Sequence, residues 1–148
     1  MTDLLKLFAV ACLSMLSMTA QAVEIEYYPY PSESPPPLSD AVRVGDLLIL
    51  SGKLGIRPGE RQLVEGGIGP ETRQTMDNIK SAVEAYGGSM DRVVKCTVFL
   101  ADMAEWGAMN EVYKTYFPAD AAPARSAVGS NGLALGARVE IECMAALK

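Results

Sequence analysis

The sequence predicts an α+β fold, a mixed β-sheet with two helices on one face. Three observations carry this expectation. Short apolar or alternating runs bounded by Gly, Pro and Ser recur towards both ends of the chain. Two other segments switch to a helical period, first Met76, Ile79, Val83 and Tyr86, then Trp106, Met109, Tyr113 and Tyr116. The 148 residues make one domain, long enough to bury a core without staples. The resulting order is β-β(-β)-α-β-α-β-β, which places helices over one face of a mixed sheet. The residues on the other face are partly apolar, so a homo-oligomer that closes it is expected.

Taken in order, Glu24 to Tyr30 reads as an edge strand ended by Pro29 and Pro31. Ser32 to Pro37 is an extended arm, because proline fixes φ and biases its predecessor away from helix. Ala41 to Val44 and Leu47 to Leu50 are strands joined by the Gly45-Asp46 turn, and Ser51-Gly52 stops the second. Ser51 therefore stands at a strand end, where a hydroxyl can face a cleft. Ile56 to Gly69 is a loop without the glycine spacing of a phosphate cradle. Pro70 suits the first turn of a helix, Glu71 its positive end, and Gly87-Gly88 its stop. Val93 to Leu100 is a strand with Val94, Cys96, Val98 and Leu100 on one face. A second helix is expected from about Met103 to Tyr116, with Asn110 beside its apolar stripe.

The last stretch, Pro123 to Leu147, holds the candidate chemistry. Arg125 lies in one strand, and Glu140 and Glu142 alternate with Val139, Ile141 and Cys143 in the next. One face is apolar and the other presents carboxylates. A guanidinium and a carboxylate near a sheet can hold an anionic substrate and move a proton. Glu142 reads as a solvated residue or a partner for Arg138.

Composition narrows the classes. The chain has no histidine, which excludes Ser-His-Asp and Cys-His catalysis and disfavours a zinc or iron site; no metal or cofactor is expected. A net charge of −5 with scattered Lys and Arg argues against a nucleic-acid partner. Lys6, the apolar run Leu7 to Leu16 and the ending Ala20-Gln21-Ala22 read as a secretory signal peptide over residues 1–22, too short for a membrane span. Residues 23–148 are then a periplasmic or secreted domain without stable membrane association. Removal of the leader takes Cys12 and leaves Cys96 and Cys143. An even pair in an oxidising compartment invites a disulfide, but both sit on the apolar parity of their strands, and free buried thiols are expected.

Several segments together resemble the RidA (YjgF/YER057c) family of reactive-intermediate and imine deaminases. They are Gly66-Gly67-Ile68, Glu71-Thr72-Arg73-Gln74, Asn78-Ile79, the strand Val93 to Leu100, Ala101-Asp102-Met103, Asn110-Glu111-Val112-Tyr113, Pro123-Ala124-Arg125 and Val139-Glu140-Ile141-Glu142, spanning about Ala41 to Leu147. The resemblance implies a chorismate-mutase-like fold, a homotrimer with clefts between subunits, and hydrolysis of 2-imino or enamino acids such as 2-aminoacrylate to 2-keto acids and ammonia without cofactor. It implies that Arg125 clamps the substrate carboxylate, that Glu140 orients or activates water, and that Ser51, Asn110 and the backbone around Ala127 contribute to binding. The chain departs from the family at Ala127, where the best-characterised deaminases carry cysteine, and at Leu38, where many members carry an aromatic residue. The rival reading is a non-catalytic trimer that binds small carboxylates or partner proteins in the same cleft.

Overall fold

The computed structural model describes residues 22–148, so the expected leader and Cys12 lie outside the described residues except for Ala22. Six strands form one sheet: β1 (Ile25–Pro29), β2 (Ser39–Val44), β3 (Leu47–Leu50), β4 (Val93–Leu100), β5 (Ala124–Gly129) and β6 (Val139–Ala146). Their order is β1-β2-β3-β6-β4-β5. β4 and β5 are parallel and every other neighbouring pair is antiparallel. The C-terminal strand β6 thus fills the centre, and β5 is an edge. Two helices, α1 (Ile68–Ala85) and α2 (Trp106–Tyr113), pack on one face, as the sequence predicts.

The helix-covered face is the core. Leu48, Met76, Ile79, Val83, Val98, Leu100, Met109, Val139 and Ile141 are fully buried in one cluster. α1 forms because Thr72, Met76, Ile79 and Val83 recur on one stripe. It stops at Gly87, whose φ of +85° suits glycine, with Gly88 N donating to Val83 O at 2.8 Å and Gly87 N to Glu84 O at 3.2 Å, a Schellman pair. Glu71 does more than favour the helix dipole. It is 4% exposed, and its Oε1 accepts from the amides of Arg138 (2.7 Å) and Val139 (3.3 Å), tying α1 to the start of β6.

Three sequence expectations are corrected here. Val94 does not join the core face. The β4–β6 register shifts between Val93 and Lys95, so Val93 turns inward and Val94 is left 47% exposed. The second helix is shorter than expected, because its first and last turns, Met103–Glu105 and Lys114–Tyr116, are tighter 3₁₀ turns; Trp106 consequently stands half-exposed while Met109 and Tyr113 are buried. Finally, Cys96 and Cys143 are not free thiols. They face each other across β4 and β6 with Cα atoms 4.1 Å apart and are joined in a disulfide. Antiparallel neighbours put facing side chains this close, a pairing that strand parity alone does not reveal.

The opposite, open face carries Val42, Leu47, Ile49, Phe99 and Met144 together with the exposed Ile25, Tyr27 and Val128.

Candidate active site

Arg125 sits on the edge strand β5, aligned with Cys96 of β4, and therefore points to the helix-covered face. There α2 receives it. Its Nη1 donates to Asn110 Oδ1 at 2.7 Å, and its guanidinium carbon lies 4.8 Å from the centroid of the Tyr113 ring. Asn110 and Tyr113 are neighbours at i, i+3, so one helix face both orients and underlies the guanidinium. Burial pushes the Tyr113 hydroxyl up to about 12, with Arg125 opposing, which keeps that ring neutral at ordinary pH. Among the described residues no carboxylate lies within ion-pair distance of Arg125. Ala127 follows on the same face of β5, small and packed against the core.

Glu140 belongs to a different place. On β6 it pairs with Phe99 and projects from the open face. Its carboxylate rests over Gly52, where a Cβ would come within 2.0 Å of Oε1. Only glycine leaves room for the carboxylate there. Burial, and next the neighbouring Glu142, raise the Glu140 carboxyl above its usual range. Ser51, directly before Gly52, donates its hydroxyl to Ser39 O at 2.6 Å, so it can offer a ligand only its lone pairs. Glu142 does not pair with Arg138, which binds Glu105 at 2.6 Å instead.

The structure therefore brings Arg125 to Asn110, with Ala127 on the same face, and Glu140 to Gly52, the residue after Ser51, but it keeps the two groups apart. Glu140 shares a row with Phe99 and Val128, while Arg125 lies three residues back along β5 on the other face. Sheet spacings put their Cα atoms about 14 Å apart. A groove of about 440 Å³ beside α1 and a dimple of about 20 Å³ on the open face touch neither residue. Sequence reasoning missed Tyr113 as the platform under Arg125 and Gly52 as the seat of Glu140. Tyr113 was legible as part of the apolar stripe and of the family motif Asn110 to Tyr113, without a role, and Gly52 only as a strand stop.

A family profile described as Endoribonuclease L-PSP matches residues 32–147. The chain belongs to this endoribonuclease L-PSP (YjgF/RidA) family. Among L-PSP relatives, the 2-iminobutanoate/2-iminopropanoate deaminase of Mus musculus is 44% identical over 109 residues, covering 74% of this chain and 80% of its own. Solved structures agree in fold. A Rid-family protein of unknown function from Yersinia pestis has a TM-score of 0.77 at 33% identity, with 83% of this chain and 99% of that one covered. RidA from an Antarctic Psychrobacter has a TM-score of 0.71 at 35% identity, with 85% and 98% covered.

The Gly52 contact in this L-PSP chain gives a direct expectation. Gly52→Ala should fold, because the group it meets is the end of a flexible side chain, but it should displace the Glu140 carboxylate. If Glu140 takes part in the reaction, imine hydrolysis should fall by about 10–100-fold at near-unchanged Tm, the loss expected from a displacement of about an ångström. Steady-state assays beside a thermal melt check this.

Proposed function

We propose that this protein hydrolyses 2-imino and enamino acids to 2-keto acids and ammonia, at sites built between copies in a homotrimer. The observation that carries this reading is Arg125, held by Asn110 and Tyr113 and without a carboxylate partner among the described residues. A planar guanidinium so presented suits a bidentate grip on a carboxylate. Relatives at this identity, in mouse and rat, bear the name 2-iminobutanoate/2-iminopropanoate deaminase. The net charge of −5 speaks against RNA as the substrate.

The separation of Arg125 and Glu140 supports a composite site. One copy supplies the β5 edge and α2, with Arg125 and Asn110. Its neighbour supplies the open face, with Glu140, Gly52 and Ser51. This repeated head-to-tail contact closes into a ring and covers the exposed Ile25, Tyr27 and Val128.

In the reaction, Arg125 fixes the substrate carboxylate and so places the imine carbon. Glu140 takes a proton as water adds to that carbon. Glu140 returns that proton to nitrogen, giving a tetrahedral carbinolamine. The carboxylate then carries the hydroxyl proton to nitrogen as the C–N bond breaks, so the carbonyl forms and ammonia leaves with both protons of the water. Water is the only co-reactant, and the imine carbon is already electrophilic, so neither histidine nor a cofactor is needed. A carboxyl raised above its usual range holds and releases this proton more readily near neutrality.

Residues 1–22 are proposed as a leader that delivers the chain to the periplasm or outside the cell. The Cys96–Cys143 disulfide supports an oxidising destination. No helix among the described residues is long and apolar enough to cross a membrane.

The test uses the mature chain with imines generated by an amino-acid oxidase. Accelerated release of 2-keto acid is expected. No acceleration for any side chain, with a small carboxylate still bound at Arg125, would replace hydrolysis by the carboxylate-binding reading.

A further inference from the structure

β3 ends at Leu50, yet the chain continues beside β6. Lys53 N donates to Ile141 O at 2.8 Å, and Ile141 N donates to Lys53 O at 3.1 Å. Between the pairs Ile49↔Met144 and Lys53↔Ile141 this side carries one extra residue. Ser51 and Gly52 thus lie in a bulge, and Gly52 lies directly against Glu140.

A bulge needs fastening, and here the fastening is ionic. The Lys53 ammonium pairs with Asp40 Oδ1, and the two side chains are only 10% and 7% exposed. The other oxygen of Asp40 accepts from the Tyr86 hydroxyl at 2.9 Å, and the Tyr86 ring stacks on Tyr28 with centroids 4.2 Å apart. The backbone of Asp40 joins in, its carbonyl accepting from Ser51 N at 3.1 Å. The Tyr30 ring lies 5.7 Å from the ammonium. A buried ion pair is a poor route to stability, because apolar replacements of similar volume often do as well or better. Its place, anchored on both sides of the glycine that seats Glu140, points to a different role.

We propose that Asp40 and Lys53 are a positioning pair, which locks the Ser51–Lys53 bulge so that Gly52 forms a fixed floor for the Glu140 carboxylate. This rests on the reading of Glu140 as the proton-carrying group. The pair acts through the backbone. The charged groups that share the open face with Glu140 are Glu142 on its own strand and Lys95 on β4, whose ammonium donates to Ser126 of β5. Arg138, two residues before Glu140, is engaged by Glu105. Asp40 and Lys53 act from the helix side, where Tyr86 and Ile141 lie.

The double variant Asp40→Asn/Lys53→Met in the mature chain removes both charges at similar volume. Its Tm should stay within about 5 °C of the parent. kcat should fall about tenfold while KM changes less than about twofold, since Arg125 still grips the substrate. The deciding readout is the Glu140 titration midpoint, followed by carboxyl ¹³C NMR in both proteins. It should move down towards the ordinary carboxylate range as the floor loosens and water enters. An unmoved midpoint in the folded double variant overturns the proposal. Because the NMR measurement needs no turnover, absence of imine hydrolysis in the parent would reject the enzymatic reading separately. Should the double variant not fold, Tyr86→Phe removes only the hydroxyl bond to Asp40. It should shift the midpoint in the same direction by a smaller amount, and no shift again overturns the proposal.

Discussion

Replacement of Arg125 by alanine should lower kcat/KM for every 2-imino acid by about 10²–10³-fold, the loss expected when a charge-assisted, two-pronged grip on a carboxylate is removed. Much of that loss should fall on KM, because the grip exists in the bound substrate as well as in the transition state. The remainder should fall on kcat, because the imine carbon is no longer held for attack. Arg125→Lys should recover only a small part. A lysine ammonium is a point charge that cannot match the carboxylate with two parallel bonds, and it loses the planar fit between Asn110 and the Tyr113 ring. Steady-state kinetics on several imines check this. An Arg125→Ala enzyme with parental kcat/KM would remove the guanidinium from the mechanism.

The second large effect concerns stability. Cys96 and Cys143 are separated by 47 residues, and a crosslink closing a loop of that length stabilises by about 4 kcal/mol in the chain-entropy treatment. The Cys96→Ala/Cys143→Ala variant, or the reduced protein, should therefore melt roughly 10–20 °C lower than the oxidised form. Activity at room temperature should persist, because neither sulfur faces the proposed substrate. Thermal melts with and without reductant, beside thiol titration of the unfolded chain, make the comparison. Equal melting temperatures together with two titratable thiols in the purified protein would contradict the disulfide.

The disulfide also shows where sequence reading reaches its limit. The parity of Cys96 and Cys143 was legible, and it correctly placed both in the core. Their partnership was not, because it depends on β6 entering the sheet between β3 and β4, a long-range event that local patterns do not encode. The bulge at Val94 follows the same logic, since a one-residue shift leaves no mark in an apolar run. The helix stop at Gly87-Gly88 and the apolar stripe of α1 were legible because caps and 3.6-residue periods are local. At the site, the family spacing singled out Arg125, Glu140, Asn110 and Ser51. That Arg125 and Glu140 leave the sheet on opposite faces required the strand order and the β4–β5 register. The buried Asp40–Lys53 pair was invisible for the same reason, its members being 13 residues apart, one on β2 and the other in the segment after β3.

The central claim is that each site takes its arginine from one copy and its glutamate from the next. Arg125→Ala and Glu140→Gln chains, each nearly inactive alone, can be co-assembled in equal amounts. Random mixing in a closed ring gives about one site in four an intact Arg125 and an intact Glu140 from neighbouring copies. The mixture should therefore recover roughly a quarter of the parental rate. If both residues came from the same chain, every site would keep one lesion, and a mixture no more active than the two variants apart would contradict the composite site.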